Sequence, residues 1–462
     1  MDITRALTSL ACVAFCGMLA QAAEPTLAVR DGATSDSRVA TISLEAESSE
    51  PGQASLSDAL VEDMGSAART EDVEPGDGNA AAGGPWTIPQ IGFLERHSIR
   101  MGGWLQQGVT FNGYNSEDGF NGPVATNDMD DQYQMNQLWL YLDRPANNGG
   151  SGFAWGGHVD AIYGTDWRFG INSGLEDNIN GFDYQRYGLV IPQAYLELAY
   201  NRLSVKLGHF AAILDYEAVP AVMNPFYSHS YSYGYTVPQL VTGALAEYKL
   251  TDRLSILGGP HRGWNQFEDN NDTIDFMGGV KWVSPSERTK IAWACSAGPQ
   301  DPPADFDNVP GNQNRFVYSL VVQQKVSERL DYIFVQNLGT ETNAPVEGRT
   351  ADWYGINNYL LYKINPKWSA AMRAEWLRDD DGVRVAGPGN IPGVYAWAGR
   401  GYAGNFYDLT AGLNWRPNGN LLVRPELRWD WYSGPAGPVG LPFDGGNESD
   451  QFTCAVDAIF TF

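Results

Sequence analysis

The sequence predicts an all-β protein, a transmembrane antiparallel β-barrel of about 16 strands, and three observations support this fold class. From residue 98 onward, apolar and polar residues alternate with a period of two, as in a strand whose two faces meet different environments. The alternating segments are about 10–14 residues long, close to the ~9–11 residues that a tilted strand needs to cross a bilayer. The connections between them alternate between short and long, which matches the two rims of an outer-membrane barrel.

Mean hydropathy alone would place the chain among soluble acidic proteins. The 462 residues include 55 acidic and 30 basic side chains, which gives a formal net charge of −25, and the mean hydropathy is −0.32. This acidic balance argues against a nucleic-acid partner, which needs a basic surface against the phosphates. The 15 Trp, 23 Tyr and 52 Gly residues instead fit a barrel wall in which lipid-facing and lumen-facing residues alternate.

Residues 1–23 have the pattern of a secretory signal peptide. Arg5 precedes an apolar core at 7–20, and the small residues Ala20 and Ala22 flank Gln21 in the pattern of a cleavage site. The apolar core is too short to span ~30 Å of hydrocarbon. We therefore expect an exported chain from which this segment is removed.

Residues 24–90 form an acidic, low-complexity block. They contain 13 acidic residues, 3 Arg and a single aromatic residue, Trp86. A segment of this composition cannot bury enough apolar surface to offset the entropy of ordering the chain. We expect a solvated tether in the periplasm, followed by a barrel domain over 91–462.

The strands are predicted in order along the chain from their alternation. It is clearest in the last one, where Phe452, Val456 and Phe460 alternate with Thr453, Asp457 and Thr461. The predicted strands cover 98–112, 132–144, 153–163, 190–201, 202–210, 239–250, 253–266, 273–283, 288–298, 314–326, 328–339, 352–365, 367–378, 405–416, 420–433 and 450–462.

The connections divide into two classes. Short turns follow every second strand, at 145–152, 201–202, 251–252, 284–287, 327–328, 365–366 and 416–420. The remaining connections are long, at 113–131, 164–189, 211–238, 299–313, 340–351, 379–404 and 434–449, with a short exception at 267–272. The expected arrangement therefore has short periplasmic turns and long extracellular loops, with both chain ends in the periplasm.

A barrel of 16 strands encloses a lumen that side chains cannot fill, so an aqueous channel is expected. The alternation directs positive and negative side chains inward in nearly equal numbers, which predicts a hydrated wall without strong ion selectivity. The main lumen-lining charges are Lys206, Glu247, Lys249, Arg315, Lys363, Arg373, Glu375, Arg424, Glu426, Arg428 and Asp430.

The long connection 211–238 carries more aromatic surface than an exposed loop usually does. Folding it into the lumen would bury that surface and narrow the channel; packing over the rim or against a neighbouring subunit is the alternative. The predicted constriction residues are Asp215, Glu217, Tyr227, His229, Tyr231, Tyr233 and Tyr235.

Acidic clusters in the long loops raise the question of a metal site. Examples are Asp128, Asp130 and Asp131, and the run 379–382, which lacks the spacing of a calcium loop. Solvated acidic turns are the preferred interpretation. We expect no metal, no cofactor and no catalytic residues, because the motifs of serine hydrolases, zinc proteases and phosphate-binding loops are missing.

Three stretches and the terminal residue carry a resemblance to a known family. The runs PQAYLELAYNRLSVKLGHF (192–210), LDYEAVPAVMNPFYSHSYSYGY (214–235) and TGALAEYKLTDRLSILGGPHRGWNQFE (242–268), with a terminal Phe462, resemble the OmpL-like β-barrel porins. The resemblance covers roughly 95–462 and implies a pore-forming role in the bacterial outer membrane. It implies no substrate and no catalytic residues.

The expected function is diffusion of small hydrophilic solutes and ions, and two alternatives remain. One is a substrate-specific channel, for example for saccharides, using aromatic rings of 226–235 and Trp167 for stacking. The other is an outer-membrane enzyme, for which only His158 and Asp160 share a lumen face. Expected partners are outer-membrane lipid, the transported solutes, the barrel-assembly machinery through the C-terminal strand ending at Phe462, and two further copies in a homotrimer.

Overall fold

The computed structural model describes residues 86–180, 186–269, 271–300, 313–344, 346–385, 401–437 and 440–462. The predicted signal peptide, 1–23, and the tether up to residue 85 lie outside the described residues. The described residues include three short α-helices, Gly92–Arg96, Asp177–Asn180 and Tyr231–Tyr235. No helix in these described ranges has both the length and the apolar character needed to span a bilayer.

The described residues form one antiparallel sheet of 17 strand segments. Segments β4 and β5 both pair with β3 and together make one wall strand, so the barrel has 16. The segments are β1 Arg100–Asn112, β2 Gln132–Arg144, β3 Phe153–Gly164, β4 Gly188–Val190, β5 Ala194–Tyr200, β6 Leu203–Ala211, β7 Leu240–Thr251, β8 Leu254–His261, β9 Asp275–Val283, β10 Thr289–Pro299, β11 Asn314–Lys325, β12 Leu330–Thr342, β13 Thr350–Asn365, β14 Trp368–Asp379, β15 Gly404–Trp415, β16 Leu421–Ser433 and β17 Asp450–Thr461.

The sheet closes on itself, because β1 pairs with β2 on one side and with β17 on the other. In the closing pair, Trp104 lies opposite Thr461 and Val109 lies opposite Val456. Closure removes the two edge strands that an open sheet would expose, which a membrane-spanning sheet requires. The predicted fold class is confirmed as a 16-stranded antiparallel barrel.

Two strands differ from the prediction. The eighth wall segment ends at His261 and not at 266, so the connection 262–274 is longer than the six residues expected there. Gly263 and Asn265 adopt φ angles of 110° and 52°, which an extended strand cannot contain. The predicted strand 190–201 is interrupted at 191–193, where Pro192 lacks the N–H that a ladder hydrogen bond needs.

The two faces of the wall have the composition that a barrel in lipid needs. Most outward-facing positions are apolar and exposed, as Leu140, Leu207 and Leu427 show, with exposed fractions of 48%, 39% and 48%. Trp368 and Trp415 also point outward and stack at the short-turn end of β14 and β15, with ring centroids 5.7 Å apart. Aromatic rings at strand ends are typical of the membrane interface.

Candidate functional site

Segment 212–239, between β6 and β7, folds into the barrel interior. Wall carboxylates accept hydrogen bonds from its main chain: Glu426 from the N–H groups of Tyr227 and Ser228 at 2.9 and 3.2 Å. Glu375 accepts from the N–H groups of Tyr231 and Ser232, one with each carboxylate oxygen, at 2.8 and 2.6 Å. These bonds replace those that a helix or sheet would otherwise supply to a buried main chain.

Wall arginines bind the carbonyl groups of the same segment. Arg373 donates to the Ser228 carbonyl at 2.9 Å, and Arg428 donates to the His229 carbonyl at 2.6 Å. Arg424 donates to the carbonyls of Ala221 and Asn224 at 3.0 and 2.7 Å. Positive and negative side chains of the β14–β16 wall therefore alternate in holding one irregular stretch of backbone.

Glu217 is the main ionic link between the segment and the wall. Its carboxylate meets Arg373 at 3.0 Å, His229 at 2.7 Å and the Tyr359 hydroxyl at 2.8 Å. Burial by itself would raise the pKa of Glu217, but the charge of Arg373 and the hydrogen bond from His229 outweigh it and lower the pKa to about 2. Glu217 is therefore an anion at neutral pH.

Asp215 lies two residues away in a different environment. Its φ of 72° is unusual for a residue with a side chain, and its carboxylate accepts from the main-chain N–H groups of Tyr216 and Glu217. Asn337 of β12 donates to the other oxygen at 2.5 Å. Burial, reinforced by the charge of Glu217, raises the pKa of Asp215 to about 6 despite these hydrogen bonds.

The tyrosines of the segment are packed and their hydroxyls are engaged. Tyr227 donates to Asn136 at 2.7 Å, Tyr231 to Asp430 at 2.7 Å and Tyr235 to the Pro123 carbonyl at 2.8 Å. Tyr233 stacks on His229, with ring centroids 4.8 Å apart. Each tyrosine side chain is at most 5% exposed.

This packing bears on the saccharide alternative. Trp167, which the sequence offered as a further stacking ring, is fully buried at 0% exposure. Stacking on a sugar requires an open aromatic face. The aromatic residues of 226–235 and Trp167 offer none in this conformation, so the structure gives the saccharide alternative no support.

The predicted lumen charges fall into two groups. The first group lies on β14–β16, where segment 212–239 packs against the wall, and its members are nearly inaccessible to water. A hydrated wall was expected here. The group consists of Arg373, Glu375, Arg424, Glu426, Arg428 and Asp430. The difference arises because the segment covers this arc of the wall. Asp408, which pairs with Arg373 at 2.7 Å, was not predicted, although it lies on the same inward face of β15 as Phe406 and Thr410.

The remaining predicted charges lie elsewhere on the inner wall. Arg315 pairs with Glu341 at 3.0 Å near the long-loop rim. Lys363 is exposed in the last three residues of β13, at the short-turn rim. Lys206, Glu247 and Lys249 line an internal cavity.

That cavity has a volume of about 1,070 Å³ and extends from the short turns to the underside of segment 212–239. Its upper surface is formed by the segment and is mainly apolar, with Ile213, Val219, Val222 and Met223, but it also includes Asp215 and Glu217. Its wall is polar and of mixed charge, with Asp143, His158, Glu197, Lys206, Glu247 and Lys249. The barrel interior thus contains a charged vestibule on the short-turn side of segment 212–239.

His158, the residue considered for an enzyme, has two carboxylate partners. Its Nε2 lies 2.8 Å from Asp160 and its Nδ1 lies 3.2 Å from Asp143. The ring also lies between Tyr141 and Tyr195, with interplanar angles of 11° and 18°. This arrangement immobilises the imidazole and orients neither nitrogen toward a nucleophile.

The expectation of solvated acidic turns is wrong for several loop carboxylates. Asp128 forms a two-point pair with Arg168 at 2.8 and 2.9 Å. Asp130 accepts from the main-chain N–H groups of Asn112 and Ser116. Asp379 accepts from four consecutive N–H groups at 382–385. These carboxylates order the loops, and the described ranges contain no group of residues arranged for a metal ion.

Comparisons with solved structures place the fold among outer-membrane channels. The outer membrane channel DcaP of Acinetobacter baumannii aligns with a TM-score of 0.51 and 12% identity, covering 79% of this chain and 97% of that one. An anion-selective porin from Comamonas acidovorans (TM-score 0.49, 9% identity) and OmpT of Vibrio cholerae (TM-score 0.48, 10% identity) cover the same 79%, and 99% and 97% of their own chains. Comparison with curated protein sequences gives no match.

The family comparison matches nearly the whole barrel. The profile described as "Putative beta-barrel porin-2, OmpL-like" covers residues 98–462, which include every strand of the wall. The expected resemblance is confirmed. This chain belongs to the OmpL-like putative β-barrel porin-2 family and is an outer-membrane porin whose closed barrel fits a channel for small solutes.

Proposed function

We propose that this porin passes small hydrophilic solutes and ions through a channel that segment 212–239, predicted as 211–238, narrows. One observation carries the proposal: the segment is bonded to three separate arcs of the wall. It reaches Gln137 on β2, Asn337 on β12 and Glu426 on β16. A loop lying over the rim would not contact all three, so the segment occupies part of the lumen's cross-section. Membership in a porin family supports a channel rather than an enzyme.

The predicted constriction residues have three different roles in the proposed channel. Glu217 and His229 fix the segment to the wall through Arg373. Asp215, Glu217 and Tyr233 also line the vestibule below. Tyr227, Tyr231 and Tyr235 fill the space between the segment and the wall and set how far it projects.

Planar-bilayer conductance of the refolded protein tests the proposal. We expect discrete, ion-permeable steps that are smaller than those of a barrel with an unobstructed lumen. A protein that inserts and keeps its β-sheet circular dichroism but gives no steps would contradict the channel.

Residues 24–90 are proposed to be periplasmic, because Trp86 lies at the short-turn rim. Its main-chain N–H donates to Asn420 Oδ1 at 2.7 Å, in the turn between β15 and β16. A protease added to intact cells should then spare this segment, and cleavage within it would place it on the outside.

A homotrimer is proposed from the outer face of β12 and β13. There Tyr332 donates to Asn358 at 2.8 Å, midway along β13 and on the side that faces lipid. A polar pair at this depth is unfavourable against hydrocarbon and is better placed against another subunit. Cross-linking in detergent should give trimers; a monomer only would contradict this.

Removal of Phe462 should slow assembly in vivo if the assembly machinery recognises the C-terminal strand.

A further inference from the structure

The two rims of the barrel carry fixed charge of opposite sign. We define a rim as the connections on one side together with three flanking residues of each strand, counting described residues only. The long-loop rim, without segment 212–239, has 21 acidic and 7 basic side chains, a net charge of −14. The short-turn rim, with residues 86–99, has 14 basic and 6 acidic side chains, a net charge of +8.

The opposite charges are exposed, so they act on ions in solution. On the short-turn rim, Arg253, Arg329, Lys363 and Lys367 are exposed, and none of their side chains has a partner among the described residues. On the long-loop rim, Glu268, Asp272 and Glu347 are exposed. Exposed charges at a mouth bordered by low-dielectric walls raise the local concentration of counter-ions.

The two charged rims are too far apart to cancel. The apolar band between the rims of such barrels is ~25 Å tall, whereas the Debye length at 0.1 M salt is ~10 Å. Cations therefore accumulate at the acidic extracellular mouth and anions at the basic periplasmic mouth, each nearly independently of the other.

We propose that this arrangement makes the channel a rectifier, which passes more current when the extracellular side is positive. That voltage drives cations inward from the acidic mouth and anions outward from the basic mouth, so both ions accumulate in the lumen. The opposite voltage draws each ion back toward its own mouth and depletes the lumen. The inference rests on the proposed channel function and adds a direction to it.

Single-channel currents at equal and opposite voltages test the inference. Orientation is assigned with Glu347→Cys, modified by a bulky impermeant maleimide in one chamber. We expect a current ratio of about twofold or more at 0.1 M salt, falling toward one at 1 M, where the Debye length is ~3 Å. The variant Arg253→Glu/Arg329→Glu/Lys363→Glu/Lys367→Glu brings the short-turn rim to zero net charge and should bring the current ratio closer to one.

The matched control exchanges Arg for Lys and Lys for Arg at the same four positions and should keep the wild-type ratio. Equal currents at both voltages in 0.1 M salt would overturn the rectifier while leaving the channel intact. An asymmetry that the four Glu substitutions leave undiminished would also overturn it, because the basic rim would then make no contribution to the rectification. Absence of any steps would instead overturn the channel itself.

Discussion

Glu217 illustrates how a single side chain can hold an irregular segment inside a barrel. Its carboxylate accepts from Arg373, His229 and Tyr359, and both it and Arg373 are at most 1% exposed. Removing one member of such a buried pair leaves the other charged and incompletely paired, which costs more than the pair itself contributes. A surface pair such as Lys325 and Glu328 has no such penalty, because water replaces the lost partner.

Glu217→Ala should therefore lower the free energy of unfolding by about 3 kcal/mol, the cost of breaking a buried ion pair. Urea titration of the protein in phospholipid vesicles measures this. The matched control is Glu328→Ala, whose carboxylate is 84% exposed and whose loss should leave the titration unchanged. Equal effects of the two substitutions would show that Glu217 is hydrated.

Asp215 and Glu217 should make opposite contributions to the pH dependence of stability. The pKa of Asp215 is raised from 3.8 to about 6, so the native state binds more protons between these values and its free energy of unfolding falls as the pH rises through them. The pKa of Glu217 is lowered from 4.5 to about 2, so its contribution is present above 4.5 and is lost as the pH falls through about 2.

Asp215→Asn isolates the first effect. The variant retains the hydrogen-bonding shape of the side chain but cannot ionise, so the decrease in stability between pH 3.8 and about 6 should be smaller than in the wild type. Urea titrations at several pH values in this window measure the difference. Parallel pH profiles for the two proteins would mean that Asp215 titrates normally.

Segment 212–239 is an element whose position depends on the wall more than on itself. Its regular structure is limited to the helix Tyr231–Tyr235 and one short 3-10 turn at Ala221–Met223. Its buried main chain depends on wall side chains, above all Glu375 and Glu426, for hydrogen-bonding partners. The strands bond one another independently of it, so the segment can be loosened without opening the barrel.

The double variant Glu375→Ala/Glu426→Ala should raise single-channel conductance. Four main-chain N–H groups of the segment lose their acceptors, and each unsatisfied buried group costs about 1–3 kcal/mol, which favours detachment of the segment from the wall and its movement out of the channel. Glu375→Gln/Glu426→Gln is the control: an amide oxygen can still accept both bonds at Glu426 and one of the two at Glu375, so conductance should rise less than in the Ala variant. An unchanged conductance in the Ala variant, with the barrel folded, would show that the segment does not limit the current.

At the scale of the molecule, the strands could be predicted and the wall contacts of the segment could not. Period-2 alternation is local, so it located each strand to within a few residues except where Gly263 and Asn265 turn the chain. The aromatic content of the segment indicated that it is buried. Its partners, such as Asn337 and Glu426, lie more than 100 residues away, and nothing local in the sequence specifies which wall strand the segment meets.

The assignment of the outer wall to lipid makes a depth-dependent prediction. Leu207 lies at the middle of β6 and Leu203 at its short-turn end, and both point outward with exposed fractions of 39% and 37%. An arginine on the lipid face costs about 2–4 kcal/mol at the bilayer midplane and about 0–1 kcal/mol near the interface. In urea titrations from vesicles, Leu207→Arg should therefore destabilise the protein several-fold more than Leu203→Arg. The two variants share strand, face and chemistry, so equal costs would mean that this face does not contact hydrocarbon.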